Sequence, residues 1–356
     1  MKHEIYTLNN AYLLMSSALI FFLLIGLMMI IYAHSVKKNN AHTLVMCLAS
    51  LVLAAFAYVL IGFYVMYPGD FNGYFGFAGI NEPLVKDTEA NLEYGNGGNA
   101  ATDTLFQAMF AAVAALVAIG SLLGRVKISA VIVFTFIFCT VIYPIIGSWK
   151  WGGGWLENMG FVDFAGSGIV FICAGAAGLA GLLVLGPRIG VFPQNKAPQT
   201  PSVAGKIPLL TLGLVFIILG MLGFIGGSQL SIIGLDEDVV PEVIVTHITS
   251  VTHITSVTHI ALLCLWVFSV GMLTAILLSY LWHKKIVISY LITATLASLI
   301  ALCASPDTSD SLLSYGIVSI VSVVVSLYAH KTIYNLEFDD AAGGLVSTAI
   351  CAGFVG

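Results

Sequence analysis

The chain has 356 residues, of which 59% are hydrophobic and only 9% are charged, with a formal net charge of −5. Soluble domains carry about 25% charged residues, so this composition excludes a soluble fold, a nucleic-acid binder and a disordered chain. No basic segment precedes the first apolar run, so no cleavable signal peptide is expected. The six cysteines lie singly in apolar segments without C-x-x-C spacing, which favours buried thiols over a metal or redox site.

Ten apolar runs are each close to the ~20 residues that cross a bilayer as a helix. In chain order they cover about 11–33, 43–66, 103–123, 128–147, 163–186, 207–229, 256–281, 286–303, 311–329 and 341 to the end. The tenth run is short for a full span at ~1.5 Å per residue, so we expect an incomplete helix at Gly356. The predicted fold is an all-α polytopic membrane bundle of ten or eleven helices, a single transmembrane domain over residues 1–356.

The charges between these runs alternate along the chain. If the N-terminus is outside, ten of the thirteen Lys and Arg residues fall in inside loops, and only Lys2, Lys86 and Lys150 fall on the other side with most of the acidic residues. Inside loops of membrane proteins carry the excess of basic residues. The pattern therefore predicts an N-terminus outside, in a multi-pass protein of the plasma or cytoplasmic membrane.

A local repeat places histidines at positions 247, 253 and 259, each opening an identical or closely similar segment. A spacing of six puts His247, His253 and His259 on different faces of a helix but on one face of a strand. A metal site is one interpretation. A sequence duplication near a helix start, without chemistry, is the favoured one.

A second, distant repeat pairs Asp163-Phe-Ala-Gly and Ile172-Cys-Ala-Gly with Asp340-Ala-Ala-Gly and Ile350-Cys-Ala-Gly. The fifth and tenth helices run in opposite directions across the membrane. Matching segments of opposite polarity predict a five-plus-five inverted repeat, with halves of about 1–195 and 205–356 and a site near the midplane. Chance similarity is the alternative.

Two residues near the fifth helix stand out. Asp163 lies within an apolar stretch, where an ionisable residue is costly and usually functional; the alternative is a helix N-cap, and both can hold. Trp151 is followed by three glycines, which leave an indole face uncovered and able to attract a cation. An interfacial anchor is an equally good interpretation of this tryptophan.

Aromatic residues also recur in two other helices. Phe106 and Phe110 are four residues apart, so their rings share one helix face. Phe224 and Ser228 lie among glycines at the end of the sixth helix. Taken alone, ordinary helix packing explains both patterns better than a binding site does.

Together and in this order, these pieces resemble the ammonium transporter (Amt/Mep/Rh) family. The resemblance runs through most of the chain. Its most specific motifs are Asn10-Ala-Tyr-Leu-Leu, Phe106-Gln-x-x-Phe110-Ala, Gly124-Arg-Val-Lys-Ile-Ser-Ala130, Trp151-Gly-Gly-Gly, Asp163-Phe-Ala-Gly, Gly186-Pro-Arg188 and Glu337-Phe-Asp-Asp340.

The resemblance implies roles for particular residues. The family's outer ammonium site falls on Phe110, Trp151 and Ser228, and Asp163 matches the carboxylate that supports it. Phe110 and Phe224, with Phe106 beside them, match the phenyl gate. Ring faces and a hydroxyl suit NH4+, which is both a cation and a hydrogen-bond donor.

Both pore histidines of the family are missing. The first position falls on Phe171, and the second on Thr348 counted from Asp340, or on Ala349 counted back from Ile350. A bare NH4+ is costly to hold in a hydrocarbon-lined pore. We therefore expect a drier centre that is closed or partly closed to the ion, while neutral NH3 passes if a gap remains.

Two classes of function follow. The first is a homotrimeric transporter or channel that recruits NH4+ and passes ammonium or ammonia through a modified pore. The second is a non-conducting ammonium receptor or a subunit of a larger membrane assembly with a signalling partner. A channel for another small neutral molecule is the weaker third. The resemblance implies no enzyme activity, no cofactor and no metal.

Overall fold

The computed structural model describes residues 2–80, 99–192, 206–233, 242–306 and 311–356, with only the backbone of 242–255. Within this part of the chain, the apolar runs form ten helical segments, which confirms the predicted all-α bundle. They are α1 Lys2–Ala33, α2 Lys37–Met66, α3 Ala100–Gly120, α4 from Ile128 to Lys150, α5 Ser167–Leu185, α6 Ile207–Gly227, α7 Glu242–His283, α8 Ile288–Leu302, α9 Leu312–Asn335 and α10 Leu345–Val355.

Eight of these segments are long and apolar enough to cross a membrane, whereas α8 and α10 are shorter. At 1.5 Å per residue, the eleven residues of α10 extend only about 16 Å. Integral, multi-pass membrane insertion is therefore supported. The orientation of the N-terminus, the inverted halves and an eleventh helix stay predictions.

Helix α3 is at the centre of the bundle. It packs against α1, α2, α5 and α10, and its residues from Phe106 to Gly120 are all buried. Many of these residues are alanines, and small side chains allow neighbouring helices to approach closely inside a membrane. The face of α3 that carries Phe106 and Phe110 is thereby fixed at the centre of the protein.

The two ends of the bundle differ in chemistry. Trp151, Asp163 and Ser228 lie at one end, which we call the Trp151 end. Arg125 and Arg188 lie at the other, which we call the Arg125 end. There, Nε and Nη2 of Arg188 donate to the two oxygens of Asp339 at 2.6 and 2.8 Å, and Nη1 of Arg125 lies 3.8 Å from the same carboxylate.

Helices α5 and α10 meet through matching residues of the distant repeat. A Cβ atom added at Gly175 would lie 2.7 Å from Cγ1 of Ile350, and one added at Gly353 would lie 2.5 Å from Cγ1 of Ile172. Each glycine therefore receives the isoleucine of the other copy, and neither position has room for a side chain. Reciprocal contacts of this kind are expected of an inverted repeat, which stays a prediction.

Candidate functional site

The Trp151 loop leads from α4 to α5. Trp151 directly follows α4, and its indole Nε1 donates to the carbonyl oxygen of Asp163 at 3.0 Å. Its backbone amide donates to Gly147 at 2.8 Å. A Cβ atom at Gly152 would overlap the carbonyl oxygen of Met66. The glycines after Trp151 thus let the loop fold closely against α2 and hold the indole in place.

Beside this indole is a cavity of about 190 Å³. Three of the residues predicted for the outer site, Phe110, Trp151 and Ser228, line it together. Two of these rings pack edge to face, with the ring centroids of Phe110 and Trp151 6.0 Å apart. The remaining lining residues are Tyr67, Asp103, Phe106, Gln107, Phe164 and Leu230.

Polar side chains line the same cavity. The hydroxyl of Ser228 donates to the carbonyl oxygen of Phe224 at 2.9 Å, which leaves its oxygen lone pairs available. The amide nitrogen of Gln107 donates to the Tyr67 hydroxyl at 2.8 Å, while the buried Oε1 of Gln107 has no partner among the described residues. This arrangement can accept hydrogen bonds from a small donor held against the rings.

Gln107, Asp103, Tyr67 and Phe164 were not predicted as site residues. Gln107 lies between Phe106 and Phe110 in a motif that the sequence analysis used, and Asp103 lies four residues before Gln107 on the same helix face. This spacing could have identified both. Tyr67 and Phe164 enter from other segments, and nothing local to them indicates the cavity.

Asp163 supports the site without lining the cavity. Its side chain is 1% exposed, and its oxygens accept hydrogen bonds from four consecutive backbone amides, those of residues 166–169, at 2.7–3.0 Å. Burial raises the pKa of Asp163 to about 6, although the four backbone amides lower it. The predicted N-cap and the predicted support of the outer site are thus compatible, because Trp151 bonds to the carbonyl of this residue.

Three phenyl rings continue from the cavity into the bundle. Phe110 and Phe224 stack with their centroids 3.9 Å apart and their planes 13° from parallel, and Phe106 lies 4.8 Å from Phe110. Phe171 lies 5.7 Å from Phe224. We call Phe110, Phe224 and Phe171 the phenyl column.

The phenyl column is almost completely dehydrated. Phe110, Phe224 and Phe171 are 1%, 0% and 2% exposed. Thr348 and Ala349, the two alternatives for the second lost histidine, are 1% and 0% exposed. Because these exposed fractions are so small, little space is left for water around the five side chains in this conformation.

The two alternatives for that position differ in their surroundings. Thr348 donates its hydroxyl to the carbonyl oxygen of Gly344 at 2.6 Å within its own helix. Phe171 lies five residues after Gly166, the left-handed glycine directly before its helix, and Ala349 lies five residues after Gly344, the left-handed glycine directly before α10. The backbone therefore favours Ala349 as the counterpart of Phe171, whereas counting from Asp340 favours Thr348.

The metal interpretation of the histidine repeat is not tested by the described part of the chain. The described residues contain no group of three His, Cys, Asp or Glu side chains arranged to hold an ion. The repeat lies on the long helix α7, and the side chains of His247 and His253 are outside the described residues.

A bundle in which eight helices are long and apolar enough to span a membrane is typical of an integral, multi-pass membrane protein. A family model described as "Ammonium Transporter Family" matches residues 11–356. A candidate ammonium transporter of Synechocystis sp. (sll1017) is 31% identical over 350 residues, covering 97% of this chain and 74% of that protein. The chain belongs to this family, which is one of membrane transporters and not of enzymes.

One further relative and two solved structures are also similar to this chain. An ammonium transporter of Aquifex aeolicus is 33% identical over 224 residues, covering 62% of this chain and 50% of that protein. A solved structure named "Sensor Amt Protein" matches with a TM-score of 0.86 and 23% identity over 100% of this chain and 82% of that one. Candida albicans Mep2 matches with a TM-score of 0.81 and 23% identity, covering 100% and 73%. These two structures establish the fold alone.

Proposed function

We propose that the chain binds NH4+ in the cavity beside Trp151 and that the phenyl column below is closed to the ion. The observation that carries the proposal is the placement of Phe110, Trp151 and Ser228 around one cavity, above a column in which Phe171 packs against Phe224. The geometry favours a non-conducting ammonium-binding role over ion transport.

The chemistry of the cavity suits this cation. The ring faces attract a cation, and the Ser228 hydroxyl can accept a hydrogen bond from one of its N–H groups. A potassium ion has the same charge but donates no hydrogen bond. The Asp103 carboxylate, which also lines the cavity, adds a negative charge that favours any cation there.

The closed column argues against passage of the ion. Moving a charged ammonium between buried phenyl rings removes its hydration without supplying acceptors, which costs several kcal/mol or more. No histidine stands at Phe171, Thr348 or Ala349 to take a proton from it. Binding without current is the result that these side chains support.

Passage of neutral ammonia is the second candidate function. The small side chain of Ala349, the counterpart of Phe171 on α10, favours this function. With a small residue at that position, displacement of the Phe171 ring alone would open a path for ammonia. Ammonia also carries no charge, so the dehydration cost is far smaller than for NH4+.

One experiment distinguishes ammonium binding without current from the passage of neutral ammonia. Purified protein is reconstituted into liposomes, and ammonium binding is followed by tryptophan fluorescence while ammonium-evoked current is recorded on a supported membrane. A pH-sensitive dye inside the liposomes reports ammonia entry. We expect saturable binding with background current. Current that grows with bound ammonium would overturn the closed-pore proposal, and absence of binding would overturn the site.

The assembly and orientation are further parts of the proposal. We infer a homotrimer from family membership and an outside N-terminus from the loop charges, with the Trp151 end outside. The curated relatives extend beyond this chain, which covers 50–74% of the first two. A signalling partner for a binding role is expected to contact the inside loops. Native mass spectrometry and labelling of single cysteines from each side test these points.

A further inference from the structure

The segment that follows α6 contributes two residues to the cavity beside Trp151. Ser228 and Leu230 both line this cavity, but Leu230 has no part in the proposed function. Of the described residues that line the cavity, Leu230 is the most exposed, at 41%, whereas Phe106 and Phe110 are each 1% exposed. Leu230 therefore lies at the mouth of the cavity, and the two phenyl rings lie deeper.

The backbone of Leu230 is unusual for a leucine. Its φ is +63°, in the left-handed region that glycine adopts readily and that strains a residue with a Cβ atom. The amide of Leu230 donates to the carbonyl oxygen of Gly227 at 2.9 Å, and the amide of Ser231 donates to that of Gln229 at 2.8 Å. A glycine would form the same turn without strain. Strained residues of this kind are typical of binding sites.

A buried asparagine of α1 fixes the residues after Leu230. Asn9 is 0% exposed, and its Nδ2 donates to the carbonyl oxygen of Ile233 at 3.0 Å. Its Oδ1 accepts hydrogen bonds from the amides of Ile232 and Ile233, each at 3.1 Å. Because the turn is tied to the end of α6 on one side and to α1 on the other, two helices set the position of Leu230.

The size of the cavity does not by itself select ammonium. An ammonium ion is about the size of a water molecule, whose share of the liquid is ~30 Å³, whereas the cavity measures about 190 Å³. Methyl groups on the nitrogen keep the positive charge and therefore the attraction of the ring faces. A methyl-substituted cation is rejected only if a side chain closes the mouth.

We propose that Leu230 is the specificity-determining residue of the Trp151 cavity, where its side chain closes the mouth over a bound NH4+ and excludes cations with bulky N-substituents. Asn9 is a positioning residue that holds the turn in place. The inference rests on the proposed binding of NH4+ in this cavity. Keeping water out strengthens the attraction between the cation and the rings, and a bulkier cation must displace Leu230 from its turn.

The test compares NH4+ with trimethylammonium, which keeps the charge and one N–H group but is larger. The full chain in liposomes is titrated with each chloride salt at fixed pH and ionic strength, and tryptophan fluorescence gives the midpoints. Leu230→Gly, which suits the backbone, should weaken NH4+ binding about fivefold, because the cation–π contact becomes hydrated. It should strengthen trimethylammonium binding. Leu230→Met, of similar volume, should keep the wild-type preference.

Two further variants separate the mouth from the rest of the structure. Asn9→Ala keeps the leucine but removes its support, so the preference should shift in the same direction as in Leu230→Gly. Met159→Gly removes an exposed side chain outside the cavity lining and should change neither midpoint. A general loss of structure would weaken both cations alike. An unchanged ratio of midpoints in Leu230→Gly, with normal NH4+ binding by the wild type, would overturn the role of Leu230 alone.

A second measurement needs no ligand. Quenching by acrylamide, taken as the difference between each protein and its Trp151→Phe derivative, reports how far water reaches the Trp151 indole. Leu230→Gly should raise this quenching, and Met159→Gly should not. Equal quenching in wild type and Leu230→Gly would contradict a closed mouth. A wild type that binds no NH4+ would overturn the proposed function and the selectivity with it, even if Leu230 shields the indole.

Discussion

The Phe171 ring lies 5.7 Å from the Phe224 ring, and both rings are at least 98% buried. Phe224 in turn stacks on Phe110 at 3.9 Å. The resemblance to the family predicts a pore histidine at position 171, where this chain has a ring that extends the phenyl column. Replacing an imidazole by a phenyl removes the hydrogen-bonding atoms and leaves the space filled.

Restoring two histidines should restore ammonium-evoked current if both stand at equivalent positions. The backbone favours Ala349 as the counterpart of Phe171, so Phe171→His with Ala349→His is expected to conduct. Phe171→His with Thr348→His is the matched control and should stay at background. Current recorded from liposomes distinguishes the pairs, and the reverse result would show that the count from Asp340 is the right one.

Replacing Trp151 by Leu should weaken ammonium binding by about 1–2 kcal/mol, because the cation loses a ring face. Trp151→Phe keeps a ring but loses the bond from Nε1 to Asp163, so its effect isolates that bond. Trp155, which stacks on Tyr74 and does not line the cavity, provides the control Trp155→Phe. Calorimetric titration measures the affinities. Equal affinity in wild type and Trp151→Leu would move the site elsewhere.

Ammonium affinity should fall as the pH is lowered from 7 to 5. Burial raises the pKa of Asp163 to about 6, so the carboxylate is ionised above this pH and protonated below it. Protonation removes a negative charge near the cation, which weakens binding by roughly 1 kcal/mol. Asp163→Asn should bind weakly at both pH values. A variant with the wild-type pH dependence would assign the titration to another group, such as Asp103.

Replacing Asp339 by Asn should destabilise the Arg125 end, since it leaves the largely buried guanidinium groups of Arg125 and Arg188 without their carboxylate. Removing one partner of a buried ion pair costs about 3–5 kcal/mol. The control is Glu157→Gln, because Glu157 pairs with Lys150 but is 46% exposed, and exposed pairs contribute about 0–1 kcal/mol. Thermal unfolding in detergent compares the variants. Equal melting temperatures for the two would contradict the prediction.

The same carboxylate predicts a loss of stability in acid. Burial raises the pKa of Asp339, but the hydrogen bonds and charge of Arg188, together with the charge of Arg125, outweigh it and hold the pKa below its ordinary value. A lowered folded-state pKa stabilises the protein above about pH 4, and this stabilisation is lost as the pH falls further. Asp339→Asn should lack that part of the acid transition.

The reciprocal contact of α5 and α10 gives a test of internal symmetry. Gly175→Ala should cost about 1–3 kcal/mol, since the new Cβ meets Ile350. Ile350→Ala should recover part of the loss, and Ile172→Ala should do the same for Gly353→Ala. At Gly316 the nearest atom to an added Cβ is 3.4 Å away, so Gly316→Ala is the control. Thermal unfolding that shows no recovery would mean that the two contacts are not equivalent.

The sequence predicted the spans and the cavity residues well, because both depend on local patterns. Apolar runs of ~20 residues indicate helices whatever surrounds them, and Phe110, Trp151 and Ser228 belong to short motifs. It did not predict Gln107 or Asp103, although both share a face with Phe110. A helix that is apolar on all sides does not reveal which face is turned inward.

The contacts between distant segments were out of reach for a related reason. His34 follows the first helix and His330 lies on the ninth, and each ring packs against one glycine of the same turn, Gly343 and Gly344. The choice between Thr348 and Ala349 depends on the glycine that directly precedes each helix, which lies four residues after Asp340 at Gly344 but three residues after Asp163 at Gly166. Pattern matching from the carboxylates alone cannot detect that insertion.

The bond from the Trp151 indole to the Asp163 carbonyl has a mechanical consequence. The carboxylate of the same residue accepts hydrogen bonds from the amide of Gly166 and from the first three amides of α5, the helix that carries Phe171. An indole that tilts to cover a cation must therefore pull on the start of that helix or give up its bond. Asp163 in this way couples the binding of a cation beside Trp151 to the position of the Phe171 ring deep in the bundle. A signal-transmitting receptor requires a coupling of this kind.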